Sequence, residues 1–422
     1  MMNEQMHKYR FLARFLPNST ANRLVVLTGA RQTGKTTLAK IHYPQLRYIN
    51  FDSQEDREAI RQISSLNWRR DVGNAIIDEA QKEPAVFEKV KYAFDEKSIS
   101  FTLLLGSSQI LLLKKTRESL AGRAYIFELW PLMLSELCYS SEEEDVPLPL
   151  IDEVIFGNKL GETLQSRQAV LLGQEAMRCK DAESYLLQWG GMPALLGLSA
   201  EERWKWLKDY EYTYLERDLA DLARLDDLEP FKKFQKLSAL RSAKLLNYSE
   251  LARDSGISVD TARRYLEYLR LSYQVILLQP YARNITSSVI KTPKLYWVDV
   301  GLMRQLSGYR GQIATGEIYE TAVVAETIKW IKSSQRDCEA YFYRTRSGSE
   351  IDMLLQSPSG IIGIEAKARG KVYIQDAKPL KEVAARLGNE WRGGLIVYQG
   401  NEIRKICPPD IWAVPSNRLF SQ

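Results

Sequence analysis

The feature that most constrains the fold is an eight-residue loop pattern near the start of the chain. Residues 24–37 read LVVLTGARQTGKTT, and the pattern G-x-x-x-x-G-K-T runs from Gly29 to Thr36. The apolar run before it predicts a buried strand, and the residues after it open a helix, which is the context of a phosphate-binding loop. Glycines let backbone N–H groups wrap a phosphate, and the helix N-terminus adds a favourable dipole. The alternative is a chance glycine turn before a helix.

The loop residues have separate expected roles. The Lys35 ammonium is expected to neutralise charge on the β- and γ-phosphates of ATP, and the Thr36 hydroxyl to ligate Mg²⁺. ATP and Mg²⁺ are therefore the expected cofactors. The residues expected to contact the nucleotide in this loop are Gly29, Ala30, Arg31, Gln32, Thr33, Gly34, Lys35, Thr36 and Thr37.

A second apolar run ends in two carboxylates. Residues 75–79 read AIIDE. A buried strand with this ending suits Asp78 as the Mg²⁺ partner and Glu79 as the catalytic residue that polarises the attacking water. The alternative is a strand end whose carboxylates only cap the next turn.

Two further candidates lie beyond the next strand. In LLLGSSQ, residues 103–109, Ser107 or Ser108 could sense the γ-phosphate, or could cap the following helix. Arg123, in SLAGRAYIF, is a candidate catalytic residue that stabilises transition-state charge, within one subunit or across two. An exposed or structurally paired arginine is the alternative.

The hydrophobic pattern predicts an α/β fold at the start of the chain, followed by further units. Short Val-, Ile- and Leu-rich runs separated by helical stretches indicate a parallel sheet covered on both faces. The predicted strands are Leu24–Thr28, Arg47–Asp52, Ala75–Asp78, Phe101–Gly106 and Tyr125–Leu129. We expect four units: an ATPase domain (1–140), a helical connector (141–235), a winged-helix domain (236–305) and a C-terminal α/β domain (306–422). The 422 residues are enough for each to bury a core.

Composition limits the cellular compartment and the binding partners that we expect for the protein. The net charge of +5 is mildly basic, so it permits a nucleic-acid surface without requiring one. Four scattered cysteines and two histidines make a structural zinc site unexpected. The sequence shows neither an apolar signal core nor a run of roughly 20 apolar residues. We therefore expect a cytoplasmic protein without a membrane partner.

Residues 247–271, NYSELARDSGISVDTARRYLEYLRL, have the pattern of a helix-turn-helix. Gly256 is expected at the turn, and Ser258 is expected to cap the second helix. That helix would bury its apolar side chains and expose Arg263 and Arg264. The segment from 244 to 294 is locally basic, so DNA is an expected partner through the major groove. A packing or protein-contact role is the alternative.

Residues 341–369, YFYRTRSGSEIDMLLQSPSGIIGIEAKAR, predict two strands around a turn. Asp352 lies on the first strand, and Glu365 and Lys367 share one face of the second. Two carboxylates beside a lysine suit a divalent cation and phosphodiester hydrolysis, with Glu320 (or Glu326) of the preceding helix adding a carboxylate ligand. The D-x(n)-E-x-K arrangement resembles the restriction-endonuclease-like superfamily. A charged hairpin, or a binding domain without cleavage, is the alternative.

The motifs together resemble a known class of proteins. GARQTGKTT, AIIDEAQ, GSSQ and LAGR look like the AAA+ ATPases. WGGMPALL (189–196), YLERD (214–218) and KLYWVDVGL (294–302) resemble later blocks of a bacterial and archaeal family with a C-terminal region of unassigned function. The resemblance implies ATP hydrolysis. Many AAA+ proteins act as rings, so a homo-oligomer is possible. The resemblance does not decide whether this chain forms one.

Three functions remain at this point. The first is an ATPase coupled to a C-terminal half that binds DNA, with or without cutting it, for which DNA-stimulated turnover would be diagnostic. The second is a nucleotide-dependent switch whose C-terminal half binds protein. The third is a toxin-like module that a partner holds in check, for which growth arrest on expression would be diagnostic.

Overall fold

The structure is a computed structural model. It describes residues 8–106, 112, 116, 118–139, 146–157, 159–222, 228–281, 292–345 and 348–421, with the backbone alone from 213 to 222. Within these residues, no helix is long and apolar enough to cross a membrane.

The N-terminal part is built on a five-stranded parallel sheet. Its strands are β1 (Arg23–Thr28), β2 (Arg47–Asn50), β3 (Ala75–Asp78), β4 (Phe101–Leu105) and β5 (Ala124–Glu128). They lie in the order β2-β3-β4-β1-β5, and every pairing is parallel. All residues of β3 and β4 are buried, as expected for central strands covered on both faces. The predicted α/β sheet is confirmed, because the predicted strands match these five to within two residues at each end.

Helices cover this sheet and continue into the connector. The N-terminal helices are α1 (Lys35–His42), α2 (Gln54–Gln62), α3 (Trp68–Asp71) and α4 (Ala85–Asp95). The short helix α5 (Leu134–Cys138) follows, and the connector contains α6 (Leu150–Phe156), α7 (Leu160–Gln165), α8 (Gly173–Trp189) and α9 (Ala200–Leu222). Two apolar clusters pack on the two faces of the parallel sheet, because alternate residues of β1 belong to different clusters.

A compact helical unit with a small sheet follows. Its elements are α10 (Glu229–Ala239), β6 (Lys244–Leu245), α11 (Tyr248–Ser255), α12 (Val259–Leu271), β7 (Val275–Pro280) and β8 (Lys294–Trp297). Gly256 ends α11 with a φ of 74°, and the Ser258 side chain accepts a hydrogen bond from the Thr261 N–H at 3.1 Å. The predicted turn and cap are therefore confirmed. Strand β8 pairs antiparallel with β6 on one side and with β7 on the other.

The C-terminal part begins with two helices and continues as a mixed sheet. Its elements are α13 (Val300–Ser307), α14 (Gly316–Ser334), β9 (Glu339–Arg344), β10 (Glu350–Ser357), β11 (Gly360–Lys367), α15 (Lys378–Leu387), β12 (Trp391–Tyr398), β13 (Arg404–Cys407), β14 (Ile411–Pro415) and α16 (Ser416–Leu419). Strands β9, β10 and β11 pair antiparallel, and β12 returns parallel to β11 beyond α15.

The two sheets beyond the connector are continuous. Strand β7 pairs in parallel with β9 through Gln279↔Tyr341 and Pro280↔Phe342. The result is a nine-stranded sheet in the order β13-β14-β12-β11-β10-β9-β7-β8-β6. The sheet therefore runs across residue 305, where the sequence suggested a division into separate units.

Backbone contacts without room for a side chain join the N-terminal part to the rest of the chain. The Leu132 N–H donates a short hydrogen bond to the Gly191 carbonyl, at 2.6 Å. The Gly191 N–H in turn donates to the buried Asp299 carboxylate at 2.7 Å. A Cβ at Gly191 would lie 2.1 Å from the Leu132 carbonyl oxygen, and one at Gly301 would lie 2.0 Å from that of Trp189. These contacts leave room only for glycine at positions 191 and 301, within the WGG and DVG segments of the chain.

Glu183 on α8 predicts a pH-dependent stability. Burial raises the pKa of its carboxyl to about 7, although the Ser416 hydroxyl donates to it and opposes the shift. In the unfolded chain this group titrates near 4.5. Between these values the folded protein holds a proton that the unfolded chain has lost, so this contribution to stability falls as pH rises through the window.

We expect Glu183→Gln to remove that loss. At pH 8 the variant should be more stable than the wild type by at most about 3 kcal/mol and should therefore unfold at a higher temperature. At pH 4.5 the two proteins should unfold at nearly the same temperature. Thermal unfolding at both pH values checks this, with the exposed Glu201→Gln as the control. Equal gains at the two pH values would show that Glu183 is not the titrating group.

Candidate functional site

The loop between β1 and α1 has the backbone shape that its glycines predict. Gly29 has a φ of 147°, and a Cβ there would meet the Leu129 carbonyl oxygen at 2.1 Å. Gly34, immediately before α1, has a φ of 90°. Both conformations are strained for residues with a side chain. The loop therefore leads directly into the N-terminus of α1, and the N-terminus of a helix favours an anion.

Lys35 lies inside this loop. Its side chain is 8% exposed, and its ammonium donates to the carbonyl oxygens of Gly29 at 3.0 Å and of Ala30 at 2.8 Å. The side chain of Thr33 also folds back, donating to the Ala30 carbonyl at 2.9 Å. The ammonium is thus positioned within the concave side of the loop, where the sequence places the phosphate charge.

Thr36 and Asp78 meet at the ends of their elements. The Thr36 hydroxyl, in the first turn of α1, donates to Asp78 Oδ2 at 2.6 Å. The Tyr48 hydroxyl donates to the same oxygen at 2.8 Å, and burial followed by the Asp78 charge raises the pKa of Tyr48. A hydroxyl and a carboxylate side by side are oxygen donors of the kind that Mg²⁺ prefers. The pair therefore fits the expected magnesium site.

Glu79 follows β3 in a conformation that is uncommon for a residue with a side chain. Its φ is 52°, in the left-handed region, and the Gln81 side chain donates to its carboxylate at 2.5 Å. Burial, followed by the charge of Asp78, raises its pKa, whereas Lys35 and Arg31 act in the opposite direction. A carboxyl group with a raised pKa beside a phosphate loop suits a general base.

The remaining predicted residues of this site divide into three groups. Arg31, Gln32 and Thr37 lie in the loop and the first turn of α1, and Gln32 has a φ of 60°. Arg123 forms an ion pair with Asp95 of α4 at 2.7 Å, which is the paired arrangement considered as its alternative. Ser107 and Ser108 lie outside the described residues.

Sequence reasoning missed a set of residues that hold the tip of the loop. The Arg10 guanidinium donates to the carbonyl oxygens of Thr33 at 2.5 Å and of Trp130 at 2.6 Å. Ala30 packs in a small apolar cluster with Trp130, Tyr273 and Val298. The loop is therefore in direct contact with the segment that follows α12. Arg10 and Tyr273 belong to no motif, so only the folded chain reveals them.

A second group of charged residues lies on the C-terminal sheet. Asp352 on β10 and Glu365 on β11 are both buried, and Glu365 Oε1 accepts from the Lys367 ammonium at 2.6 Å. Asp352 Oδ2 accepts from the Ala366 N–H at 2.9 Å. Burial, followed by the charge of Asp352, raises the pKa of Glu365 to about 8. The predicted convergence of these three side chains is thus present in the structure.

Lys294 of β8 reaches into the same group, and sequence reasoning did not single it out. Its ammonium lies 2.9 Å from Glu320 Oε1 and 3.7 Å from Asp352 Oδ1, and also pairs with Glu350. Burial would lower the pKa of Lys294, but the three carboxylates outweigh it and raise that pKa. Glu326, the other carboxylate considered on α14, instead accepts from the Leu134 N–H at 2.7 Å.

The predicted DNA-contacting helix exposes the side chains that the sequence assigned to solvent. On α12, Ala262, Tyr265, Leu266 and Leu269 are buried, whereas Arg263 and Arg264 are exposed. The Arg263 guanidinium lies 5.4 Å from the centre of the Tyr248 ring. Arg270, on the same helix, is paired with Glu267 at 2.6 Å. Arg263 and Arg264 are thus presented to solvent, and neither forms an ion pair with a carboxylate within the part of the chain that the structure describes.

Comparison with family models divides the chain into three matches. Residues 21–138 match an AAA domain. Residues 180–312 and 315–419 match two domains of unknown function, DUF8612 and DUF4143. The AAA match covers the loop, Asp78 and Glu79. Together with the parallel sheet, it supports an ATPase of the AAA type for the N-terminal part. The other two matches assign no activity.

Relatives and solved structures add similarity over longer stretches. The chain is 26% identical over 406 residues to an uncharacterised protein of Mycobacterium bovis and, equally, to one of Mycobacterium tuberculosis. Each match covers 94% of this chain and 81% of the relative. A Walker-type ATPase of Pyrococcus abyssi is 16% identical with a TM-score of 0.43, over 70% of this chain and 94% of that one. That score is too low for an argument.

Proposed function

We propose that the N-terminal domain binds ATP and hydrolyses it with the help of Mg²⁺. The observation that carries this proposal is the contact between Thr36 and Asp78 at 2.6 Å, with Glu79 next in the chain and Lys35 inside the adjacent loop. Four side chains from two distant segments thus lie where the phosphates of ATP and one metal ion would bind.

Each side chain has a separate role in this proposal. The loop N–H groups and the Lys35 ammonium bind and orient the phosphates, which places the γ-phosphate near the end of β3. Thr36 and Asp78 would hold Mg²⁺, which supplies positive charge against the phosphate oxygens. Glu79 accepts a proton from the attacking water, a role favoured by its raised pKa. Ser108 and Arg123 remain predictions as a sensor and as a stabiliser of transition-state charge.

Lys35→Ala tests the binding step. The substitution removes the positive charge inside the loop, so we expect the affinity for ATP to fall by at least about tenfold. This corresponds to the loss of one charge-assisted hydrogen bond, which contributes about 1.5–3 kcal/mol. Titration with a fluorescent ATP analogue measures it. Arg69→Ala, which removes an exposed cation of the same domain, is the control. Unchanged affinity in Lys35→Ala would place the nucleotide elsewhere.

We further propose that the C-terminal half binds DNA. The order α10-β6-α11-α12-β7-β8, with β8 between β6 and β7, supports a winged helix in which α12 is the second helix of the helix-turn-helix. The exposed Arg263 and Arg264 support contacts of this helix with DNA phosphates. The order of α14, β9, β10, β11, α15 and β12 supports a restriction-endonuclease-like fold for the last part.

Arg263→Ala combined with Arg264→Ala tests the DNA contact. Each phosphate contact that is lost should reduce the slope of log affinity against log salt by roughly 0.9, so we expect a reduction of about 1 to 2. Fluorescence anisotropy with a duplex at several salt concentrations measures the slope. Arg69→Ala with Arg70→Ala removes two exposed charges from the N-terminal domain and is the control. If both double variants had the same salt slope as the wild type, this helix would make no contact with DNA phosphates.

A further inference from the structure

The charged group on the C-terminal sheet already contains a cation, the Lys294 ammonium. Glu320, Glu350 and Asp352 all pair with the Lys294 ammonium, which therefore lies at the point where their oxygens converge. Glu320 also accepts from the Tyr296 hydroxyl at 2.7 Å. Among the residues that the structure describes, no group of three or more His, Cys, Asp or Glu is arranged to hold a metal ion.

Other oxygens of the group are also paired. Asp352 Oδ2 accepts from the Ala366 N–H, and Glu365 Oε1 from Lys367. Glu365 Oε2, by contrast, is buried without a hydrogen-bond partner. The Arg344 guanidinium lies 3.0 Å from the second oxygen of Glu350. Four carboxyl groups thus face three cationic side chains, which leaves little charge for a metal ion to neutralise.

Lys294 is held in this position by the backbone. It lies on β8, where it pairs with Leu245 of β6 and with Leu278 of β7. Its side chain is 3% exposed. A buried ammonium without partners is strongly unfavourable, so the three carboxylates and the lysine stabilise one another. Withdrawal of the ammonium alone would leave buried carboxylates without their cation, which is unfavourable.

We propose that the Lys294 ammonium takes the place of a divalent cation among Glu320, Glu350 and Asp352. The C-terminal domain then has no metal site at Asp352 and does not cleave phosphodiesters there, although it keeps the fold and the acidic residues. This inference deepens the proposed DNA-binding role by making it one of binding without cleavage. It does not depend on ATP hydrolysis.

Binding of Mn²⁺ to the full chain without nucleotide tests this proposal. The loss of the electron paramagnetic resonance signal of free Mn²⁺ reports the number of bound ions. The wild type and Asp352→Asn should give the same Mn²⁺-binding isotherm, because Asp352 does not bind the ion in the wild type. Lys294→Met should gain one site that is at least about tenfold tighter than any in the wild type, and adding Asp352→Asn should remove it.

The controls separate charge from disturbance of the sheet. Lys294→Arg keeps a cation and should behave as the wild type, and Lys405→Met removes an exposed lysine that pairs with Asp410. A wild-type Mn²⁺ site that disappears in Asp352→Asn would overturn the proposal. So would a folded Lys294→Met that binds no more Mn²⁺ than the wild type. If Lys294→Met does not fold, the comparison of wild type with Asp352→Asn decides alone.

Discussion

Replacement of Glu79 by glutamine is expected to leave ATP binding almost unchanged and to lower turnover by about 10²- to 10⁴-fold. Glutamine has the same shape and keeps an acceptor for the Gln81 amide, which donates to this side chain at 2.5 Å. It cannot accept a proton from water, and general-base catalysis contributes rate factors of that size. Phosphate release at saturating ATP measures the effect, and analogue titration measures the affinity.

The control for this variant is a carboxylate on the same domain without a role in the site. Glu96 is exposed at the end of α4, so Glu96→Gln should retain full turnover. A Glu79→Gln variant with wild-type turnover would contradict the assigned role of Glu79. A variant with neither binding nor turnover would indicate that Glu79 supports the structure of the loop.

The second large effect is expected at the junction of the N-terminal part with the connector. Gly191→Ala places a Cβ 2.1 Å from the Leu132 carbonyl oxygen and 2.9 Å from its nitrogen. Because both are backbone atoms, no side-chain rotation relieves the clash. Overpacking of this kind costs typically 1–3 kcal/mol, and we expect about 3 kcal/mol or more here. Thermal unfolding should show a midpoint lower than that of the wild type by about 3 °C or more.

Gly316→Ala is the matched control for this prediction. A Cβ at Gly316 would meet no atom within 4 Å, and the residue begins α14. Alanine favours helices over glycine, so this control should be neutral or slightly stabilising. Equal midpoints for Gly191→Ala and the wild type would show that residues 132 and 191 do not approach as closely as described.

The N-terminal sheet could be predicted because its signal is local. Each strand is a short apolar run, and the loop glycines fix the backbone between β1 and α1. The parallel pairing of β1 with β4 and β5 then follows from helical crossovers. The contact between Thr36 and Asp78 was predictable for the same reason, since both residues lie at the carboxyl edge of one parallel sheet.

The features that escaped prediction all depend on contacts between distant segments. The pairing of β7 with β9 joins residues about 60 positions apart, and the sequence of neither strand indicates which strand it pairs with. Arg10 contacts the phosphate loop through backbone carbonyls, which any residue type presents. Lys294 is a single cation in an apolar strand, and only the folded sheet shows that it faces Glu320 and Asp352.

The central claim is that the loop from Gly29 to Thr36 supports ATP hydrolysis. The most direct measurement is phosphate release from ATP by the purified full chain with and without Mg²⁺, for the wild type and for Lys35→Ala. We predict Mg²⁺-dependent release by the wild type and none above background by Lys35→Ala. Equal release by the two proteins, or none by a folded wild type that binds ATP, would contradict the claim.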